Sequence, residues 1–263
     1  MVSRETSPAP GDAILLMRSL LFSIGMVLAT AVVGPFVMLS FPLPFPVRYR
    51  IAQQWSHFNI WWLRVICKID YQVSGAEHIP KTPVVIMAKH QSTWETLFLN
   101  AFLPPLSWVI KRELLWVPFF GWSMALLYPI AIDRKSSSVA IRQILEQGKA
   151  HLDRGIWVLI FPEGTRTAPG QRKRYGLGGS RLAVHSGYPV LPIAHNAGEF
   201  WPRRGFIKRP GTIRLCIGPP IPSQGKEVQT LNREVEQWIE STVEQLSPHR
   251  YRNSSTTTTP AAP

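Results

Sequence analysis

No charged residue stands between Arg18 and Arg48, and that gap limits what the chain can become more than any other feature does. Its first part, 19–41, is apolar almost throughout. As a helix it is long enough to cross a hydrocarbon core, which takes about 20 residues. A cleavable signal peptide is the competing reading, because basic residues precede the run. The run is long, however, ends in Phe41-Pro42-Leu43-Pro44-Phe45-Pro46, and offers no clear small-x-small cleavage site. Those features favour an uncleaved membrane segment. Spanning and re-entrant arrangements both stay open, and basic residues at both ends leave the orientation open too.

The stretch 47–69 differs in kind. Trp55, Phe58, Trp62, Val65, Ile66 and Ile69 fall on one helical face, opposite Arg50, Gln53, Gln54, His57, Arg64 and Lys68. Such a helix suits a bilayer interface, and equally suits packing on a neighbouring domain. The net charge of +13 calls for a polyanionic partner. Ten Trp, twelve Phe and 45% hydrophobic residues favour an anionic membrane surface over nucleic acid. Cys67 and Cys216 have no metal-ligand spacing and fit a reducing compartment.

From about residue 70 the pattern alternates. Apolar runs at 83–88, 108–110, 127–132, 156–161, 188–194 and 212–217 read as strands. Helical periodicity marks 93–102, 138–153, 179–185 and the region from Val228 to Leu246. Residues 247–263 are rich in Ser, Thr and Pro and read as a disordered tail. The division is therefore an N-terminal membrane segment, 1–69, a catalytic domain, 70–246, and the tail. Strand–helix alternation argues for an α/β sandwich with a largely parallel sheet, whose chemistry gathers at the C-terminal strand ends.

Two strand ends carry the chemistry. After the first comes His90-Gln-Ser-Thr-Trp-Glu95. On one continuous helix His90 and Glu95 would point about 140° apart, so they meet only if His90 lies in the loop before the helix. Ser92-x-x-Glu95 reads as a capping box with Ser92 as N-cap and the helix starting at Thr93. Glu95 is then either a cap or the partner that fixes the His90 tautomer, leaving the other nitrogen to accept a proton. After the second strand comes Phe161-Pro-Glu163-Gly164-Thr165-Arg166: Gly164 permits a tight turn, and Arg166 offers a fork for phosphate or carboxylate. Lys111-Arg112, Asp133-Arg134 and Arg172-Lys173-Arg174 are further basic clusters beside apolar runs.

With these blocks the chain resembles the glycerophospholipid acyltransferases, in particular the bacterial 1-acylglycerol-3-phosphate acyltransferases. Besides the two above, Lys111-Arg-Glu-Leu-Leu-Trp-Val-Pro118-Phe-Phe-Gly121 and Val190-Leu-Pro192-Ile occur in the family's order. The resemblance implies a sheet flanked by helices, with His90 as general base and Glu95, in place of the usual Asp, as its partner. It implies a glycerol phosphate held by Glu163, Gly164, Thr165 and Arg166, with Lys111 and Arg134 as secondary contacts. The family often places a Lys near the glycine pair at Gly178-Gly179; Gly176 stands there, so Lys173 or Arg174 would supply that charge. Also implied are a lysophospholipid acceptor, acyl-coenzyme A or acyl carrier protein as donor, no cofactor and no metal. The expected setting is the bacterial inner membrane, with the site facing the cytoplasm. Acylation of glycerol 3-phosphate, a lyso-ornithine lipid or another lysophospholipid is the alternative within the class. A non-enzymatic basic membrane-surface protein is the alternative outside it.

Overall fold

A computed structural model describes residues 10–133 and 137–251. The expected tail beyond 251 and the candidate Arg134 lie outside them. The uncharged gap folds as helix α1, Pro10–Leu39, followed by a proline-bounded turn and helix α2, Phe45–Cys67. Lys68 closes α2 in the left-handed conformation, with φ 56°. The two helices form a hairpin: Trp55 Nε1 donates to Thr30 Oγ1 at 2.9 Å and Trp62 Nε1 donates to the Leu21 carbonyl at 3.3 Å. Gly25 permits this approach, because a Cβ there would lie 2.1 Å from Trp62 Nε1. α1 is long and apolar enough to cross a membrane, with a mean hydropathy of 2.2 in its most apolar window and only 17% of that window buried. A helix so uncovered is a membrane-associated element rather than a core helix.

α2 corrects the expected division of faces. Its buried side is Tyr49, Ala52, Ser56, Asn59, Ile60, Leu63 and Cys67, whereas Phe58, Trp61 and Val65 are exposed. Polar pairing explains the shift. Asn100 donates to Ser56 Oγ at 2.9 Å and accepts from Tyr49 OH at 2.8 Å. Thus α2 packs on the domain through one face and turns aromatics outward on another. Ile69 does not belong to this helix, and begins the sheet.

The domain continues with β1 (Ile69–Ser74), β2 (Val85–Ala88), α3 (Trp94–Phe102), β3 (Leu106–Lys111), α4 (Phe120–Ala125), β4 (Ile130–Ile132) and α5 (Ser137–Asp153). Then follow β5 (Trp157–Ile160), α6 (Gly178–Ser186), β6 (Val190–His195), β7 (Gly211–Ile217), α7 (Val228–Leu246) and α8 (Pro248–Tyr251). The sheet order is β1-β7-β6-β2-β5-β3-β4, parallel except where β6 meets β7. β2 and β5 are buried along their whole length, and their side chains alternate between two cores. Ile86, Ala88 and Leu159 face α1–α3; Val85, Met87, Val158 and Ile160 face α5–α7. Two-sided burial is why these strands read as unbroken apolar runs.

Two boundaries differ from expectation. β1 is a strand that no apolar run marks, since Ile69-Asp-Tyr-Gln-Val-Ser forms an edge of the sheet and has only partial apolar content. Within the expected tail, Pro248–Tyr251 is helical and Tyr251 is buried, with Arg172 stacked over its ring at 5.6 Å.

Candidate active site

β2 and β5 are neighbours in register, Met87 opposite Ile160, so the segments that follow them emerge side by side. This brings the histidine box and the glutamate-glycine-arginine turn together. Thr167 ties them, donating both its N–H (2.8 Å) and its hydroxyl (3.2 Å) to the His90 carbonyl.

His90 lies in the loop before α3, as its spacing requires. Its Nδ1 sits 2.9 Å from Glu95 Oε1, and its ring stacks on Phe161 with centroids 3.9 Å apart and planes 10° apart. Glu95 is fully buried and also accepts the N–H groups of Gln91 at 2.9 Å and Ser92 at 2.8 Å. Cap and partner are therefore one and the same role: the glutamate reaches back to the Ser92 amide and holds the imidazole too. The helix begins at Trp94, one residue later than expected, with the Trp94 N–H bonded to Ser92 Oγ at 3.2 Å. Burial pushes the Glu95 carboxyl up, but His195, His90 and the Ser92 amide together bring it below its ordinary value. An ionised Glu95 fixes the proton of His90 on Nδ1 and leaves Nε2 as the acceptor.

Behind the dyad stand residues that sequence reasoning missed. His195, at the end of β6, is fully buried. Its Nδ1 accepts the Ala197 N–H at 3.2 Å, which leaves Nε2 to donate to the Lys89 carbonyl at 2.8 Å. Burial lowers its pKa, and the Glu95 carboxylate opposes that shift. Lys89, next to the base, is fully buried and places Nζ 2.6 Å from Glu240 Oε1 and 3.2 Å from Glu163 Oε1. Tyr175 OH donates to the same Glu240 oxygen at 2.9 Å. The only signal in the sequence was a lysine closing an apolar strand; its partners come from the turn after β5 and from α7, far along the chain.

Glu163 is consequently not exposed to a substrate. Its side chain is fully buried beneath the turn, where Oε1 also accepts the His90 N–H at 3.2 Å. Burial raises its carboxyl to about 7, with Lys89 opposing. Gly164 makes the turn at φ 66°, with nothing within 4 Å of a notional Cβ, so backbone freedom and not space selects glycine there. Arg166 lines a cleft of about 380 Å³, and burial lowers its guanidinium while Glu95 opposes that shift. Thr165 is half-buried between them. Lys111 ends β3 and pairs instead with Glu113 at 3.3 Å, lining neither that cleft nor the groove at His90. Lys173 and Arg174 are exposed. The groove at His90, about 180 Å³, is walled by Val109, Ile132, Ile144, Ile160 and Phe161. No group of metal-ligating side chains occurs among the described residues.

A buried carboxylate thus holds a histidine that lines an apolar groove, and the turn that follows carries an arginine into a second cleft. Comparison with known proteins agrees in kind. An acyltransferase family model matches residues 70–196. The 1-acyl-sn-glycerol-3-phosphate acyltransferase of Pseudomonas aeruginosa is 49% identical over 243 residues, 90% of this chain and 95% of that one. The human 1-acyl-sn-glycerol-3-phosphate acyltransferase alpha is 32% identical over 169 residues, 62% of this chain and 59% of its own. In fold, the chain matches the crystal structure of PlsC from Thermotoga maritima, an LPA acyltransferase, with a TM-score of 0.73 at 24% identity, covering 88% of this chain and 97% of that one. The chain belongs to the acyltransferase family.

Proposed function

We propose that the protein transfers an acyl chain from an acyl thioester to the sn-2 hydroxyl of lysophosphatidic acid, giving phosphatidic acid. The observation that carries this reading is the His90–Glu95 contact of 2.9 Å at the mouth of an apolar groove, beside the Arg166 cleft. The names of the relatives support the acceptor. His90 Nε2 takes the hydroxyl proton as the oxygen attacks the thioester carbonyl. The C–S bond then breaks, and the thiol departs with a proton returned by the imidazolium. Glu95 stabilises that imidazolium. A thiol is a good leaving group, with a pKa of about 8.5, so no covalent acyl-enzyme is required. The acyl chain lies along Val109, Ile132 and Ile144, and the glycerol phosphate against Arg166 and the backbone of the Glu163–Thr165 turn. The donor is acyl-coenzyme A or acyl carrier protein. α1 and the outward aromatics of α2 hold the site at an anionic leaflet, the cytoplasmic face of a bacterial inner membrane.

The test is acceptor-dependent thiol release by detergent-purified protein supplied with lysophosphatidic acid and each donor, with phosphatidic acid identified as product. His90→Ala is expected to lower kcat by about 10²–10⁴-fold, the range of general-base catalysis, with the fold intact by circular dichroism. Full activity in that variant would refute the base assignment. Product formation only from another lyso-lipid would move the acceptor.

A further inference from the structure

The loop between β6 and β7 belongs to none of the recognisable sequence blocks, yet it walls the arginine cleft. It turns sharply at 202–205, where the Gly205 N–H bonds the Pro202 carbonyl at 3.1 Å and leaves Arg203 and Arg204 at the apex. The turn is compact, since a Cβ on Gly205 would meet Pro202 Cγ at 2.5 Å. The Arg203 guanidinium reaches across to the Arg166 carbonyl at 3.0 Å, fixing the loop against the turn that clasps His90. Arg166, Arg203, Arg204 and Gln171 line the resulting cleft of about 380 Å³, and no carboxylate lines it among the described residues. An isolated arginine pair is most often a solvated face. Three arginines converging on one cleft, one of them half-buried and another bonded to its backbone, form a surplus of positive charge aimed at a shared space.

The same loop is fastened to the apolar helix. The Lys208 N–H donates to Ser19 Oγ at 2.9 Å, and Lys208 Nζ lies over the rings of Phe22, Trp201 and Phe206 at 5.2, 5.0 and 4.9 Å. Phe22 meets Trp201 edge-on at 5.2 Å. The loop that walls the cleft is therefore also docked on the apolar helix. We propose that Arg203 and Arg204 complete, with Arg166, a subsite for the phosphate monoester of the acceptor lipid, and that this loop sets the preference for phosphate-bearing acceptors. The inference rests on the phosphorylated acceptor proposed above. A phosphate monoester carries up to two charges and three acceptor oxygens, which suits several guanidinium donors better than one.

Arg204→Glu is the cleaner test, because Arg203 also supports the Arg166 turn. Initial rates with lysophosphatidic acid are expected to show KM raised roughly tenfold or more, the loss of one charge-assisted contact, and kcat within about twofold. Turnover of 1-acylglycerol, which lacks the phosphate, should not fall. Arg203→Lys should keep most of the affinity and Arg203→Met should lose it. A second readout needs no turnover: glycerol 3-phosphate or inorganic phosphate should raise the melting temperature of the parent and not that of Arg204→Glu. If inorganic phosphate matches the lipid in affinity, the subsite serves free phosphate and the lipid assignment falls. An unchanged KM with an unchanged melting shift overturns the subsite while leaving the acyltransfer reading intact. Arg204-dependent phosphate binding without any turnover of lysophosphatidic acid sinks the acceptor proposal and leaves the subsite standing.

Discussion

Glu95 and Glu163 are two carboxylates buried to the same degree at neighbouring strand ends, and they are driven in opposite directions. Glu95 falls below its ordinary value; Glu163 rises to about 7. Burial pushes both up, so burial does not distinguish them. Donors do. Glu95 takes the amides of Gln91 and Ser92 and the imidazole of His90, and both its oxygens are used. Glu163 takes one amide and a share of Lys89, and its Oε2 has no hydrogen-bond partner among the described residues. At Glu95 the interaction with His195 and the hydrogen bonds outweigh burial, whereas at Glu163 Lys89 and fewer hydrogen bonds do not. One carboxylate is built to remain an anion beside the base, and the other to remain poised under the turn.

The sharpest way to break the contrast is at Glu95. Glu95→Gln keeps the shape but presents an amide to donors, and is expected to lower kcat by about 10²-fold or more, as loss of oriented general-base catalysis does. Glu95→Asp keeps the charge and should retain far more activity, although the shorter arm loosens the contact. Equal damage from both, in steady-state kinetics, would mean that packing and not charge is what Glu95 supplies.

At the other carboxylate the largest effect should come through its cation. Lys89→Met strands Glu163 and Glu240 in the interior, and denaturant titration is expected to show a loss of about 3–5 kcal/mol, the usual cost of breaking a buried ion pair. Adding Glu240→Gln to Lys89→Met should recover part of it. No recovery would mean that the lysine stem, not its charge, fills the site.

A pH series separates the two more finely. Glu163 has a raised folded-state pKa, so its contribution to stability is full below the ordinary carboxylate range and is lost as the pH rises through about 7. Glu95, lowered, contributes fully above that range and loses it as the pH falls through its folded value. Glu163→Gln should therefore gain on the parent in melting temperature as the pH climbs from 5 towards 8, about where the raised group ionises. A pH-independent difference would contradict the raised value. Smallest is Gly164→Ala: forcing a side chain to φ 66° costs about 1–2 kcal/mol of local strain, seen as a modest drop in melting temperature.

What could be read in advance follows from chain distance. His90, Glu95, Gly164 and Arg166 were legible because each acts within a few residues of a strand that announces itself by an unbroken apolar run. The loop position of His90 followed from helix geometry alone. Lys89 with Glu240 and Tyr175, and His195 behind Glu95, were not legible, because no local pattern links residues that far apart in the chain. The orientation of α2 stayed open for a related reason. Its aromatic stripe suited an interface and a packed face equally, and polar contacts from Ser56 and Tyr49 to Asn100, which have no period, decided the orientation. Lys111 marked a strand end correctly, yet it lies at the end of β3, on the other side of β5 from His90.

The seam between α1 and the β6–β7 loop bears on how this protein can be handled. Phe22 is fully buried and Trp201 nearly so, each covering the other, with Lys208 enclosed between them. Clipping the apolar helix to obtain a water-soluble enzyme would uncover an indole and a desolvated ammonium on the very loop that carries Arg203 and Arg204. The anchor is also a wall of the domain, so a shortened chain would need a substitute lid at this seam before its behaviour in detergent-free buffer said anything about the enzyme.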